Sequence, residues 1–189
     1  MIHIAAIILA AGKGARIGQP KLFLKTGSET FLERIIRELE TAGLDEITVV
    51  VSPGLKREAN ALVKKHRLVV NPHPENGMVS SLHAGIQAAP GFDGYMAVPV
   101  DHPYVTSDTY SKLLMAFHGN SHRVIKPRYQ GKPGHPVILP SGFAAGIPAH
   151  DVDGGLAGLL RKVEAEAVSV DVADEGVRQN INTKQDMQH

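Results

Sequence analysis

Residues 7–21 read I-I-L-A-A-G-K-G-A-R-I-G-Q-P-K and join an apolar run to a loop rich in glycine and basic residues. The run from 3 to 9 is short and rich in isoleucine, which predicts a buried strand. Small residues in the loop allow a ligand to lie on the backbone, and consecutive exposed N–H groups bind anions. Because Arg16 and Lys21 add full positive charges, the stretch suits a row of phosphates.

Two common phosphate-binding loops do not fit this stretch. The P-loop requires G-x-x-x-x-G-K-[ST], which is absent from the sequence. The dinucleotide fingerprint requires G-x-G-x-x-G, whereas Gly12, Gly14 and Gly18 are one residue too widely spaced. That fingerprint also opens a helix at once, but the first helix pattern here starts near Thr30. The second predicted strand, at 47–51, ends without the acid that would bind a ribose.

Composition limits the possible classes of function. The 189 residues suit one α/β domain, which we expect to span 1–189. A net charge of +1 and the absence of tryptophan argue against nucleic acid as a partner. The absence of cysteine removes disulfides, thiolate zinc sites and cysteine nucleophiles, and is compatible with the predicted location, the cytoplasm. No apolar run is long enough to cross a membrane, so we expect no membrane partner.

Apolar strands alternate with amphipathic helices, which predicts a mainly parallel sheet covered on both faces. Thr30 and Glu33 form a capping box at the start of one helix, and Gly43 suits its end. Another helix begins in the segment 76–85. Further helices are predicted at 55–66, 107–117 and 156–163. Strands are predicted at 3–9, 47–51, 67–71, 94–100, 123–127 and 168–172.

Asp101 follows the strand predicted at 94–100. Ligands of open α/β sheets bind at the carboxyl ends of parallel strands, where this carboxylate is expected. The sequence Asp101-His102-Pro103 is also common in turns and helix caps, so these residues alone leave both interpretations open. A neighbouring triphosphate loop favours metal binding, because a triphosphate travels with Mg²⁺ and Mg²⁺ requires one or two carboxylates.

The loop at 9–21, L-A-A-G-x-G-x-R-x-G-x-x-K, resembles the signature of nucleotidyltransferases with a GT-A-like fold. It is most similar to the MobA/MocA-like cytidylyl- and guanylyltransferases of the molybdenum cofactor. Family-like motifs follow in the same order, at 77–85, 101–103, 131–137, 153–160 and 180–186. The chain departs from the family pattern at Val100 and Val152, each in place of glycine, and at Lys184, in place of proline.

The resemblance implies a three-layer Rossmann-like domain of GT-A type. Its sheet would be mainly parallel, with a small antiparallel excursion near 123–139 that carries the acceptor site. Catalytic residues are expected at Arg16, Lys21 and Asp101. Nucleotide-binding residues are expected at Leu9, Ala10, Ala11, Gly12, Gly14 and Ser81. The metal ligands of Mg²⁺ are expected to be Asp101 with Asn180 or Asn182.

Three assignments keep a structural alternative beside the one that the resemblance implies. Ser81 would contact base and ribose, although serines at helix starts are usually caps. His135 would bind the acceptor or help to remove its proton, although a hydrogen-bonded structural histidine is equally typical. Asp153 suits the N-cap of the helix at 156–163, or a place in the acceptor site.

The implied reaction is attack of an acceptor phosphate on the α-phosphorus of an NTP, with release of pyrophosphate. Ala11 favours CTP over GTP, because the family pairs L-A-A-G with cytidine and L-A-G-G with guanosine. Molybdopterin is the acceptor that the resemblance favours, with a molybdoenzyme apoprotein as a possible partner. Two other functions stay open: transfer to a sugar phosphate or another phosphorylated small molecule, and delivery of a cofactor by a non-catalytic nucleotide-binding protein.

Overall fold

The computed structural model describes residues 2–12, 17–150, 152–183 and 185–187. Within these ranges the strands are β1 (Ile4–Leu9), β2 (Lys25–Thr26), β3 (Glu29–Thr30), β4 (Ile47–Val51), β5 (Arg67–Val70), β6 (Gly94–Pro99), β7 (Ile125–Tyr129), β8 (Lys132–Pro133), β9 (Val137–Pro140) and β10 (Val168–Asp171). The helices are α1 (Phe31–Thr41), α2 (Lys56–Val63), α3 (Gly77–Ala88), α4 (Ser107–Gly119), α5 (Ser141–Ala144) and α6 (Gly155–Arg161).

The central sheet has the order β10-β7-β9-β6-β1-β4-β5, and β8 pairs with β7 at one side. Strand β1 lies between β4 and β6 and is parallel to both, so the glycine loop leaves the middle of the sheet. Strands β2 and β3 form a separate antiparallel pair before α1. This mixed but mainly parallel sheet confirms the predicted fold class.

Side chains of β1 alternate between two apolar cores, one on each face of the sheet. Ala6 and Ile8 face a core shared with α1, α2 and α4. Ala5 and Ile7 face a second core shared with α3, α5 and α6. The domain therefore has three layers, as predicted, and β1 is buried on both faces.

Strand β9 is antiparallel to both of its neighbours, β6 and β7. Its amino end therefore lies at the edge of the sheet where the parallel strands have their carboxyl ends. Ala97 pairs with Val137, so the residues preceding Val137 lie beside the end of β6. The antiparallel excursion thus brings His135 to the edge that carries Asp101.

One of the two predicted helix N-caps is confirmed, and the other is wrong. Thr30 and Glu33 form the predicted capping box, with Glu33 N donating to Thr30 Oγ1 at 3.2 Å. Asp153 is not the N-cap of α6: Gly154 occupies that position with φ +72°, and Asp153 is exposed. Glycine adopts this left-handed conformation without strain, which a cap prediction from aspartate alone overlooks.

Most predicted element bounds are correct to within a few residues. The largest difference is at α2, which ends at Val63 rather than at residue 66, because Lys64 takes a positive φ of 54°. Among the helices of the described residues, none has the length and apolarity to span a membrane.

Candidate active site

The backbone at the end of β1 is fixed by both neighbouring strands. Ala10 N donates to Val50 O at 2.9 Å, and Val100 N donates to Leu9 O at 3.2 Å. Ala10 and Ala11 are buried, whereas Gly12 is exposed. Apart from its chain neighbours, no described residue has an atom within 4 Å of a Cβ built on Gly12.

Lys21 lies between two side-chain oxygens, one from Asp101 and one from Asn182, near the end of β6. Its Nζ donates to Asp101 Oδ2 at 2.9 Å and to Asn182 Oδ1 at 2.7 Å. The side chains of Lys21 and Asp101 are only 17% and 18% exposed, so this ion pair is shielded from bulk water more than a surface pair is. A cation and two oxygens thus meet within reach of the glycine loop.

The segment that carries Asn182 is attached directly to Asp101. Ile181 N donates to Asp101 O at 2.9 Å, and the Ile181 side chain is buried. Asp186 accepts from Asn182 N and Thr183 N, both at 2.8 Å, and these hydrogen bonds lower the pKa of the Asp186 carboxyl. The Asn180 side chain is exposed, whereas that of Asn182 contacts Lys21.

Helix α3 packs tightly against the sheet and begins beside the loop. A Cβ on Gly85 would stand 2.3 Å from Ile7 Cγ2, so glycine is needed at this close approach of α3 to β1. Ser81, one turn before Gly85, is buried and lines the space in front of the loop. The packing therefore fixes the distance between Ser81 and the end of β1.

These elements enclose a cavity of about 260 Å³, the first cavity. Its floor is formed by the ends of β1 and β6, and its walls by Lys21 and the start of α3. The lining residues are Leu9, Ala11, Gly12, Lys21, Pro74, Gly77, Met78, Ser81, Pro99, Val100 and Asp101. It therefore contains a cation, a carboxylate and a hydroxyl against a largely apolar floor.

The imidazole rings of His102 and His135 lie beside Asp101, and their centroids are 5.1 Å apart. His135 is fixed by its backbone, whose N donates to Val177 O at 2.8 Å. The preceding glycine is required because a Cβ on Gly134 would stand 2.4 Å from Val177 O. Burial and the neighbouring His102 lower the pKa of His135 to about 4, so its imidazole is neutral near pH 7 and a weak proton acceptor.

The pKa of His102 is also lowered, first by burial. The His135 Nδ1 atom is buried and has no hydrogen-bond partner among the residues that the structure describes. An unpartnered buried ring nitrogen in a cleft is free to meet a ligand atom.

A second cavity, of about 470 Å³, opens on the other side of Met78. It lies between β7, β9 and α6. The lining residues are Met78, Lys126, Pro133, Gly134, His135, Val137, Gly155, Leu156, Ala157, Leu160, Arg161 and Glu164. Because Met78 lines both cavities and is 40% exposed, the two spaces adjoin at this side chain.

Most of the chain matches one known protein family. The family model described as "MobA-like NTP transferase domain" matches residues 6–168, which is most of the chain. The chain belongs to this family. The MobA-like match includes every lining residue of both cavities, and it excludes the segment that carries Asn182.

Two curated relatives are similar in sequence. "Nicotine blue oxidoreductase" of Paenarthrobacter nicotinovorans is 26% identical over 194 residues, covering 97% of this chain and 94% of that protein. "Probable molybdenum cofactor guanylyltransferase" of Bacillus cereus (strain G9842) is 27% identical over 133 residues, covering 70% of this chain and 65% of that protein. The chain thus matches somewhat less than two thirds of the length of the guanylyltransferase.

The crystal structure of Rv0371c from Mycobacterium tuberculosis H37Rv has a similar fold. Its TM-score is 0.80 at 20% identity, with 98% of this chain and 95% of that chain covered. A manganese complex of Rv0371c matches with a TM-score of 0.76. At this identity the likeness supports the MobA-like fold alone.

The structure brings most of the sequence-predicted site residues together. Those at the first cavity or bonded to its wall are Leu9, Ala10, Ala11, Gly12, Lys21, Ser81, Asp101 and Asn182. His135 lines the second cavity, beside Asp101. Gly14 and Arg16 lie outside the described residues. Their nucleotide-binding and catalytic roles stay predictions.

Sequence reasoning missed residues whose importance depends on packing. Met78 borders both cavities, and Lys126 and Arg161 bring charge into the second one. Asn71 bonds to Ser81 beneath the first cavity. A signal for Asn71 does exist, since it is a polar residue directly after a parallel strand, as Asp101 nearly is.

Proposed function

We propose that this MobA-like protein transfers a nucleoside monophosphate from an NTP to a phosphorylated small molecule. An acceptor phosphate oxygen forms a bond to the α-phosphorus, the bond from that phosphorus to the β-phosphate bridging oxygen breaks, and pyrophosphate leaves. The observation that carries this proposal is the Lys21–Asp101–Asn182 cluster beside the glycine loop. Positioning and charge stabilisation are the main sources of catalysis in such reactions.

In this proposal the NTP occupies the first cavity. The backbone from Leu9 to Gly12 lies against the nucleotide, with its phosphates over Gly12. Lys21 supplies positive charge to the α-phosphate and the departing pyrophosphate, and Arg16 adds to it as the sequence pattern predicts. Ser81 contacts the base or the ribose from the wall of the cavity.

The oxygen ligands at Asp101 and Asn182 suit Mg²⁺. Magnesium takes hard oxygen ligands, and typically binds through one or two carboxylates together with substrate phosphates and water. In this proposal the triphosphate and water would fill the remaining coordination positions. Bound there, Mg²⁺ would neutralise charge on the triphosphate.

Asn182 is a better candidate than Asn180 for the side-chain amide that would bind Mg²⁺. Asn182 and Asp101 both accept a hydrogen bond from Lys21, whereas Asn180 is exposed. Lys21 would then donate to phosphate oxygens rather than to Asp101 and Asn182. The manganese complex of the similar Rv0371c fold is compatible with a divalent ion in such a site.

The second cavity is the proposed acceptor site. Its Lys126 and Arg161 offer positive charge to an acceptor phosphate, and Leu156 and Leu160 offer an apolar wall to the rest of the molecule. The two cavities adjoin at Met78, so an acceptor there would reach the α-phosphorus of a nucleotide in the first cavity. His135, neutral near pH 7, would bind the acceptor rather than remove its proton.

CTP is the proposed nucleotide and molybdopterin the proposed acceptor, with a molybdoenzyme apoprotein as a downstream partner. Ala11, buried at the floor of the first cavity, supports cytidine through the L-A-A-G pattern. The guanylyltransferase relative supports the molybdopterin acceptor but names the other base. Since a hydrogen-bonded site leaves polar groups unpaired with the wrong base, kcat/KM for CTP should exceed that for GTP by a large factor. A tie, or a win for GTP, would reject the cytidylyl assignment.

An oxidoreductase is the second candidate, because the relative that matches the chain along nearly its whole length carries that name. The first cavity would then bind a dinucleotide rather than an NTP and Mg²⁺. The absence of the dinucleotide fingerprint in residues 9–21 weighs against it.

One panel separates these functions. Purified protein is incubated with Mg²⁺ and each of CTP, GTP, ATP and UTP, with and without molybdopterin or sugar phosphates, and pyrophosphate is measured. In parallel, NADH and NADPH oxidation is followed with small-molecule electron acceptors. Acceptor-dependent pyrophosphate release supports the proposal. Nicotinamide oxidation without pyrophosphate release would replace it with the oxidoreductase.

A further inference from the structure

A buried amide lies beneath the first cavity, at the carboxyl end of β5. Asn71 is 2% exposed and bonds to both serines of α3. Its Nδ2 is 2.9 Å from Ser80 Oγ and 3.0 Å from Ser81 Oγ. Its Oδ1 is 2.9 Å from His73 N. All the polar atoms of this side chain are therefore engaged within the protein.

The His73 contact fixes the orientation of the Asn71 amide. A backbone N–H can only donate, so the Asn71 atom that faces it must be the oxygen. The NH₂ group must then face the serines, and it can only donate. Ser80 Oγ and Ser81 Oγ are consequently acceptors toward Asn71, and each must send its own proton elsewhere.

The two serines differ in where that proton goes. Ser80 Oγ has two carbonyl acceptors, Gly77 O at 2.9 Å and His73 O at 3.2 Å. Ser81 Oγ has no carbonyl or carboxylate acceptor among the described residues, and Ser81 lines the first cavity. The Ser81 proton is therefore available to a ligand, while the Ser80 proton is used within the protein.

We infer that Asn71 is a positioning residue that occupies one lone pair of Ser81 Oγ and so directs the Ser81 proton to an acceptor atom of the bound nucleotide. This rests on the proposed function, because it needs a nucleotide in the first cavity. The acceptor is an oxygen or nitrogen of the base, or a ribose oxygen. A donor group of the base, such as an amino group, could use only the remaining lone pair of Ser81 Oγ and would leave the Ser81 proton unpaired, so it would be disfavoured there.

Calorimetric binding of CTP and GTP with Mg²⁺ to four variants tests the inference. Ser81→Ala should weaken binding of the preferred nucleotide roughly tenfold, the cost of one lost hydrogen bond. Ser80→Ala is the matched control: it should lower Tm but leave Kd within about twofold, since its proton serves carbonyl groups of the protein. Asn71→Asp keeps the shape but accepts from Ser81 and adds a negative charge, so it should weaken binding at least as much as Ser81→Ala does.

The nucleotide Kd of the double variant Asn71→Asp/Ser81→Ala distinguishes a positioning role of Asn71 from a purely structural one. If Asn71 acts through Ser81, the double variant should bind no more weakly than Asn71→Asp alone, and this comparison cancels the effect of the added carboxylate. Additive losses, or unchanged affinity of Ser81→Ala, would overturn the inference while wild-type binding preserves the proposed function. Wild-type protein that binds no NTP would overturn both. If Asn71→Asp does not fold, an affinity of Ser81→Ala equal to that of Ser80→Ala would still overturn the inference.

A comparison of dCTP with CTP narrows down the nucleotide atom that accepts the hydrogen bond from Ser81. An equal loss on Ser81→Ala for both nucleotides assigns the acceptor atom to the base or to a ribose oxygen other than the 2′-oxygen. A loss confined to CTP assigns it to the ribose 2′-oxygen.

Discussion

The two cavities are adjacent, but their polar groups are anchored differently. In the first cavity Lys21 is bonded to two partners from distant parts of the chain, and Ser81 is bonded to a buried amide. In the second cavity, Lys126 is buried and pairs with Glu164, whose side chain is 59% exposed on a short turn. The first cavity therefore has a fixed polar surface, whereas the second has a charge whose partner can move away.

This difference suits one fixed reaction combined with an adaptable acceptor site. A charged acceptor group can replace Glu164 at Lys126 with little rearrangement, because Glu164 lies on the surface. Rearrangement of the Lys21–Asp101–Asn182 cluster would require the attachment at Ile181 to change. Changes in the first cavity should therefore affect turnover with every acceptor, and changes in the second should affect only the use of the acceptor.

The largest expected effect is that of Asp101→Ala. At ~4 Å and an effective dielectric of ~20, one lost charge interaction is worth ~4 kcal/mol, or roughly a thousandfold in rate. Mg²⁺-dependent kcat/KM and Tm would be measured together, with Asp108→Ala as the control on the surface of α4. Near wild-type turnover of Asp101→Ala would remove this carboxylate from the site.

His135 should make the ligand-free protein less stable in acid. Its folded pKa, about 4, is below the ordinary value of 6.5, so the unfolded chain binds a proton first as the pH falls. The stabilisation is complete above about pH 6.5 and decreases by at most about 3 kcal/mol on acidification toward pH 4. Denaturant unfolding of wild type and His135→Gln across this window measures it, with exposed His122→Gln as the control. Identical pH slopes for wild type and His135→Gln would contradict the buried neutral imidazole.

Lys21→Ala should lower turnover roughly a hundredfold, since charge-assisted hydrogen bonds are worth about 2–3 kcal/mol. Lys25 is exposed on β2, so Lys25→Ala should stay within about twofold of wild type. Steady-state rates with saturating acceptor compare the two variants. Equal losses would show that the register of the glycine loop against the nucleotide is misassigned.

The smallest effect tests the second cavity. Lys126→Met keeps the apolar stem and removes the charge, so the KM for the acceptor should rise about tenfold while the KM for the NTP stays constant. Lys132→Met, at an exposed position of β8, is the control. A matching rise in the KM for the NTP would end the distinction between the two cavities.

The sequence predicted what depends on local pattern. The buried strand β1, the capping box at Thr30 and the placement of Asp101 after a parallel strand all follow from residues that are close together in the chain. The N-cap of α6 was predicted wrongly, because the local pattern around Asp153 does not reveal that Gly154 takes the left-handed conformation.

The parts that could not be predicted depend on contacts between distant residues. Lys126 is one charge in an otherwise ordinary strand, and only the packing of α6 over β7 and β9 gives it a cavity. Asn71 gains its role because α3 sets Ser80 and Ser81 above the end of β5. No spacing rule encodes such a meeting, since it depends on how a helix returns across the sheet.

Transfer of label from NTP to acceptor tests the central claim most directly. Wild-type protein is incubated with Mg²⁺, molybdopterin and CTP labelled at either the α- or the γ-phosphate, and products are separated. Nucleotidyl transfer should place the α-label in the acceptor product and the γ-label in pyrophosphate, and both products should be lost in Asp101→Ala. Transfer of the γ-label to the acceptor would contradict nucleotidyl transfer. Retention of both labels in CTP, and likewise in each other NTP, with every phosphorylated acceptor tested would also contradict it.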